Sequence, residues 1–253
     1  MIMWGRGKIS MVDKDACIVR LEALLSKTID LTGRVIFYKG IPQHAYLMSM
    51  HCTIIELSSC CIELLKIGQA TAVPVIARSV LEAYADLRCL LQDENHWRFM
   101  HAQHLKDKED FISKSMNGNS LLGGYSQQFD LEHELAVVQE ERAKLNADGY
   151  KPIRHISNRF KKAGMEAEYE SMYSLLCNDT HNSQSVLISR HLEADGDGFR
   201  ITLFKEQSIE DVTASVDVIS GTLAGSITDV VRFFSNEEAA EIHLLHEEIR
   251  RAC

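Results

Sequence analysis

Residues 72–91 read AVPVIARSVLEAYADLRCLL, and the spacing inside this stretch decides the fold class. Apolar residues recur every three or four positions, the period of a helix rather than of a strand. Pro74 falls in the first turn, where a missing N–H is tolerated. Turning each residue by roughly 100° puts Val73, Ile76, Val80, Leu87 and Leu91 on one side. Arg78, Glu82 and Asp86 stack up the other side at four-residue intervals. Charges on so apolar a helix need water or polar partners. The stripe therefore reads either as an ordinary solvent face or as the wall of a polar cleft between helices. Leu81, Ala85, Cys89 and Leu90 crowd it closely.

Working outward, 43–67 is a second long apolar helix closed by Gly68, and the short link makes it an antiparallel hairpin with 71–92. Helical spacing also covers 11–32, 94–116, 127–147, 153–163, 166–177, 184–191, 209–234 and 236–251. NGNSLLGG at 117–124 is a loop. Near 191–204 the period changes: turn residues at 193–198 precede the alternating Phe199–Arg–Ile–Thr–Leu–Phe204, a β-hairpin. The expected architecture is an all-α bundle with one small β-hairpin, built as a single domain over 11–253 after a loose 1–10. The narrow stripe of 127–147 and the apolar face of 209–234 suit self-association as a homodimer or binding of a partner protein.

Of the 253 residues, 45% are hydrophobic and 25% charged, with three prolines, ordinary for a globular helical chain. A net charge of −9 argues against a broad nucleic-acid or anionic-membrane surface, without excluding a local basic patch. The seven cysteines are odd in number and form no CxxC, so reduced, buried thiols in the cytoplasm are expected. The first ten residues lack the apolar stretch of a signal peptide, and no uninterrupted apolar run reaches membrane-spanning length, so no membrane association is expected.

Three constellations carry chemistry. Glu56 and Glu63 share a face of the second helix, but no Glu-x-x-His accompanies them, so neither a metal nor a cofactor is expected. Tyr169, Tyr173, Asn178, Asp179 and His181 form a dense polar segment. There His181 is either a general acid–base imidazole or a hydrogen-bonded cap. Residues 142–162 gather Arg142, Lys144, Lys151, Arg154, Arg159, Lys161 and Lys162 against Asp148 alone, either a phosphate-binding patch or a solvated face. Walker, GxGxxG, GxSxG and HExxH motifs are absent.

The block Arg78-Ser-Val-Leu-Glu82, followed about a hundred residues later by Tyr169…Tyr173-x-x-Leu-x-x-x-x-His181, resembles the bacterial family catalogued as domain of unknown function 5677. The resemblance covers roughly 45–235. Cys177 stands where that family usually has serine, and Asn182 where glycine or proline is common. The resemblance implies that Arg78, Glu82 and His181 meet in one cleft. A looser similarity, to HEPN-type helical ribonucleases, rests on the Arg-x4–6-His spacing met by Arg98 and His104. It implies RNA cleavage in a defence or toxin setting, although Arg78 and His181 on separate helices depart from that pattern.

Two expectations follow. In the first, Arg78, Glu82 and His181 cleave RNA without a metal, supported by Asp86, Tyr173, Asn178 and Asp179. Lys151, Arg154, Arg159, Lys161 and Lys162 hold the phosphates. In the second, the same residues form a structural network in a non-enzymatic helical dimer.

Overall fold

A computed structural model describes residues 14–38, 40–117, 120–122, 130–153, 155–180, 183–203, 205, 209–235 and 240–252. The helices are α1 (Lys14–Thr32), α2 (Pro42–Lys66), α3 (Val73–Gln92), α4 (His96–Met116), α5 (Leu131–Ala147) and α6 (Ile156–Lys162). After them come α7 (Glu166–Glu168), a π-helical turn (Tyr169–Tyr173), α8 (Ser174–Thr180), α9 (Gln184–His191), α10 (Ile209–Ser235) and α11 (Ala240–Ala252). Strands β1 (Leu192–Asp195) and β2 (Gly198–Ile201) pair antiparallel, Leu192 opposite Ile201. The protein is all-α with one small hairpin.

The second helix of the notable hairpin, α3, lies at the centre. It packs most extensively on α2, then on α10, and meets α8 and α6 on its remaining sides. Val73, Ala77, Val80, Leu87 and Leu90 are fully buried in the main core with Leu47, Ile54, Leu223 and Ile227. A second, smaller cluster joins α4 to α5 through Leu105, Ile112, Leu131 and Val138. Asp130 caps α5, its side chain accepting from the His133 N–H at 3.1 Å.

These contacts bear on the sequence expectations. Leu131 and Val138 of α5 are buried against α4, and Val216, Leu223 and Ile227 of α10 in the main core. Residues 42–66 and 212–234 are long and apolar enough to cross a membrane, at mean hydropathy 1.3 and 1.2. The interrupted runs had concealed this. The second segment is 72% buried within the fold. Cys61 and Cys89 are buried free thiols as expected, but Cys52 and Cys60 are exposed and Cys17 is disulfide-bonded, a correction to the reading of reduced, buried thiols throughout. The 1–10 segment lies outside the described residues.

One buried polar contact ties three helices together. The His51 ring of α2 places Nε2 2.8 Å from Thr32 Oγ1 of α1 and Nδ1 3.2 Å from Ser226 Oγ of α10. Burial lowers its pKa to about 4. Below about pH 6.5 the unfolded chain takes up a proton here and the folded chain does not, so stability falls with pH and the loss levels off below about 4. Between pH 6.5 and 5 this contributes about 2 kcal/mol of destabilisation. Urea unfolding of wild type and His51→Gln across that range tests it. The variant is expected to lose that part of the slope, and equal slopes would refute the assignment.

Candidate active site

The charged stripe of α3 faces a cleft. The side chains of Arg78, Glu82 and Asp86 retain only 22%, 28% and 12% of their exposure. Their cover comes from the chain between α6 and α8. Gly164 there adopts φ 67°, a left-handed conformation that ends α6 and that a Cβ would strain. The π-helical turn then carries Tyr173 to the foot of the stripe. The inserted residue widens the turn, and such turns concentrate at functional sites. The Tyr173 ring packs against both Phe160 and Tyr169, with centroids 5.1 and 5.3 Å away.

Three side chains close a triangle. Arg78 Nε donates to Glu82 Oε1 at 3.0 Å, and Arg78 Nη2 donates to the Tyr173 hydroxyl at 2.9 Å. Tyr173 Oη in turn donates to Glu82 Oε1 at 2.9 Å. Burial, reinforced by the Glu82 carboxylate, pushes the Tyr173 phenol well above the ordinary tyrosine value, and Arg78 only partly opposes this. The phenol is therefore a donor and not a base. Burial also disfavours the Arg78 charge, but Tyr173, Cys177 and Glu82 outweigh it and raise the pKa.

One turn further along α3 lies a second group. Asp86 Oδ2 accepts from Arg159 Nη1 of α6 at 2.7 Å. Asp86 Oδ1 faces His96 Nε2 at 3.7 Å, too long for a hydrogen bond. His96 is fully buried, and neither of its ring nitrogens has a hydrogen-bond partner among the described residues. Buried polar groups without a partner are rare in folded proteins. Gln92 donates to the Ala163 carbonyl at 3.1 Å and Lys162 to Asp93 at 2.8 Å, which clamps α6 against α3. Burial pushes the Cys89 thiol up to about 12, so this neighbour is no nucleophile.

Between these groups and α4 opens a cleft of about 710 Å³. The α4 wall is a face with three- and four-residue spacing: His96, Phe99, Met100, Gln103, His104 and Asp107. The opposite rim contributes Ile153, His155, Ile156 and Arg159. Two arginines stand against three carboxylates, so the floor is nearly charge-balanced. Lys151 precedes Ile153, and Lys161 follows Arg159, by two residues; both are exposed.

Of the residues singled out from sequence, Arg78, Glu82, Asp86, Tyr173 and Arg159 converge here. Lys162 pairs with Asp93 at the edge, and Lys151 and Lys161 are exposed beyond it rather than lining the cleft. Asn178 is exposed on α8 and is not among the residues that line the cleft. Thr180, two residues on, lines a separate pocket with Val75 at the start of α3. His181 and Arg154, and the side chain of Asp179, lie outside the described residues. Sequence reasoning missed His96, His104 and His155 as members of one site. The first two were legible as one face of α4, eight residues apart. His155 carries no periodic signal. Among the described residues, no three His, Cys, Asp or Glu side chains gather as a metal-binding group.

Fold and site together define an all-α protein whose central helix offers an ion-paired wall to a polar cleft. A family model, described as Family of unknown function (DUF5677), matches residues 44–199, more than half of the chain, and the protein belongs to that family. The matched region runs from the first turn of α2 to β2 and contains every cleft residue named above. No curated protein and no solved structure matches the chain.

Proposed function

We propose that the cleft binds RNA and cleaves its phosphodiester bonds by acid–base chemistry of its own side chains. The observation that supports this reading is the placement of the basic segment 151–162. From it Ile153, His155, Ile156 and Arg159 line a cleft that also holds Arg78, His96 and His104. The basic segment draws the backbone, and the arginines stabilise charge as the phosphorus becomes five-coordinate. His104 and His155, both exposed in the cleft, are the proton carriers, since an imidazole can take up a proton at one ring nitrogen and give one from the other. One takes the proton of the ribose 2′-hydroxyl as that oxygen attacks the adjacent phosphorus. The other gives a proton to the departing 5′-oxygen, which leaves a 2′,3′-cyclic phosphate and a free 5′-hydroxyl. Glu82 and Tyr173 hold Arg78, and Asp86 holds Arg159.

The test is incubation of the purified protein with an end-labelled RNA in EDTA beside the all-deoxy strand of the same sequence. RNA cut to cyclic-phosphate ends with the DNA intact is expected. Intact RNA at stoichiometric protein, or equal cleavage of the DNA, would overturn the proposal.

A further inference from the structure

We infer that the cleft takes an unpaired nucleotide, its base stacked on Phe99, so that the RNA substrate is single-stranded; this rests on the RNA-cleaving reading above. Phosphate chemistry alone gives no use for the apolar part of the cleft. Phe99 and Met100 from α4 face it, with Ile153 and Ile156 from the opposite rim, beside the polar triangle of Arg78, Glu82 and Tyr173. A wall of this kind adjoining charged groups matches the two halves of a nucleotide, a flat apolar base and a phosphate. At about 710 Å³ the cleft is the size that encloses one small ligand. A paired helix keeps its bases stacked inside and presents only sugar and phosphate, so its bases cannot reach such a wall.

Phe99 is built as a platform. Tyr150 packs edge-on against it, with centroids 5.1 Å apart and planes at 74°, which fixes the ring's orientation. The Lys162 ammonium sits over one face of the ring, 4.4 Å from the Phe99 centroid, and is itself anchored by Asp93, so a base would stack on the other face. Sites for single strands combine aromatic rings that stack on bases with positive charge that tracks the backbone. At the outer end of the same face, Gln103 Nε2 donates to Asp107 Oδ1 at 2.8 Å, which orients an amide that can meet a base edge.

The experiment is fluorescence anisotropy with a short labelled 2′-O-methyl RNA, which blocks attack by the 2′-oxygen. The single strand is compared with the same strand annealed to its complement, with a strand carrying an abasic position, and with a nucleoside monophosphate as competitor. The single strand is expected to bind roughly tenfold or more tightly than the duplex or the abasic strand. Phe99→Ala is expected to lose a similar factor and Phe99→Trp to retain binding. Phe99→Leu keeps the apolar volume without the ring and gives the answer if the alanine variant unfolds. Duplex binding equal to the single strand, or unchanged binding by Phe99→Leu, would overturn the inference while RNA cleavage by wild type stands. Competition by the monophosphate as strong as by the strand would assign the platform to free nucleotides and overturn the strand as its source. Absence of binding to any of these RNAs, together with intact RNA in the cleavage assay, would remove the RNA reading itself.

Discussion

Replacing Arg78 with alanine is expected to lower the rate of RNA cleavage by roughly a hundredfold or more, the loss typical when a preorganised donor to transition-state charge is removed. The effect should fall on kcat more than on KM, because the basic segment 151–162 proposed to draw the strand is left in place. Stability should change little, by about 1 kcal/mol, since Tyr173 still donates to Glu82 at 2.9 Å and the pair is only partly buried. Arg78→Lys should not restore activity, because an ammonium cannot reproduce the planar contacts to both Glu82 and Tyr173. Tyr173→Phe should lie between wild type and Arg78→Ala, as it removes the shared hydroxyl and leaves the Arg78–Glu82 contact. Single-turnover cleavage with thermal unfolding of each variant separates the two effects. An Arg78→Ala protein that cuts RNA like wild type would dismiss Arg78 from catalysis.

The second large effect is structural. Gly225 on α10 lies against Tyr84 on α3, at the contact that seats the central helix. A Cβ added at Gly225 would overlap the Tyr84 hydroxyl oxygen and stand 2.8 Å from the ring carbon that bears it. Tyr84 cannot swing aside freely. Its hydroxyl donates to Asp229 Oδ2 at 3.1 Å, and the Arg88 guanidinium lies 6.0 Å from its ring centroid. Burial, then the Asp229 charge, pushes the phenol up to about 12, so it remains a neutral donor at working pH. Gly225→Ala is therefore expected to destabilise the protein by about 3 kcal/mol through overpacking, lowering Tm by roughly 6–12 °C at this chain length. Adding Tyr84→Phe removes the nearest atom and should recover part of the loss. The ring carbon stays too close, and Asp229 loses a donor. A double-mutant cycle by denaturant unfolding measures the coupling. A neutral Gly225→Ala would contradict the close approach of α3 and α10.

The helical class was legible because periodicity is a local property. The spacing of Ile54, Cys61 and Leu65, or of Val73, Ala77 and Val80, records which side of a helix meets other helices, and tertiary packing followed it. The hairpin was legible for the same reason, since turn residues and alternation sit within a dozen positions. Even the charged stripe was legible as a stripe, because Arg78, Glu82 and Asp86 are separated by single turns.

What those charges face was settled by contacts remote in sequence. Arg78 meets Tyr173 ninety-five residues away, and Asp86 meets Arg159 seventy-three away. Helical spacing orients a side chain relative to its own axis and says nothing of which other helix lies opposite. The histidines show the same limit. The sequence singles out His181, which lies outside the described residues, by its polar neighbours; His96, His104 and His155 are brought to the cleft by the packing of α4 and by the turn that leads into α6. Sequence alone determined the helices and their apolar faces, because hydrogen bonding and burial act over a few residues. The cleft was decided by tertiary structure, because only the assembled bundle sets helix against helix and leaves part of one polar face uncovered.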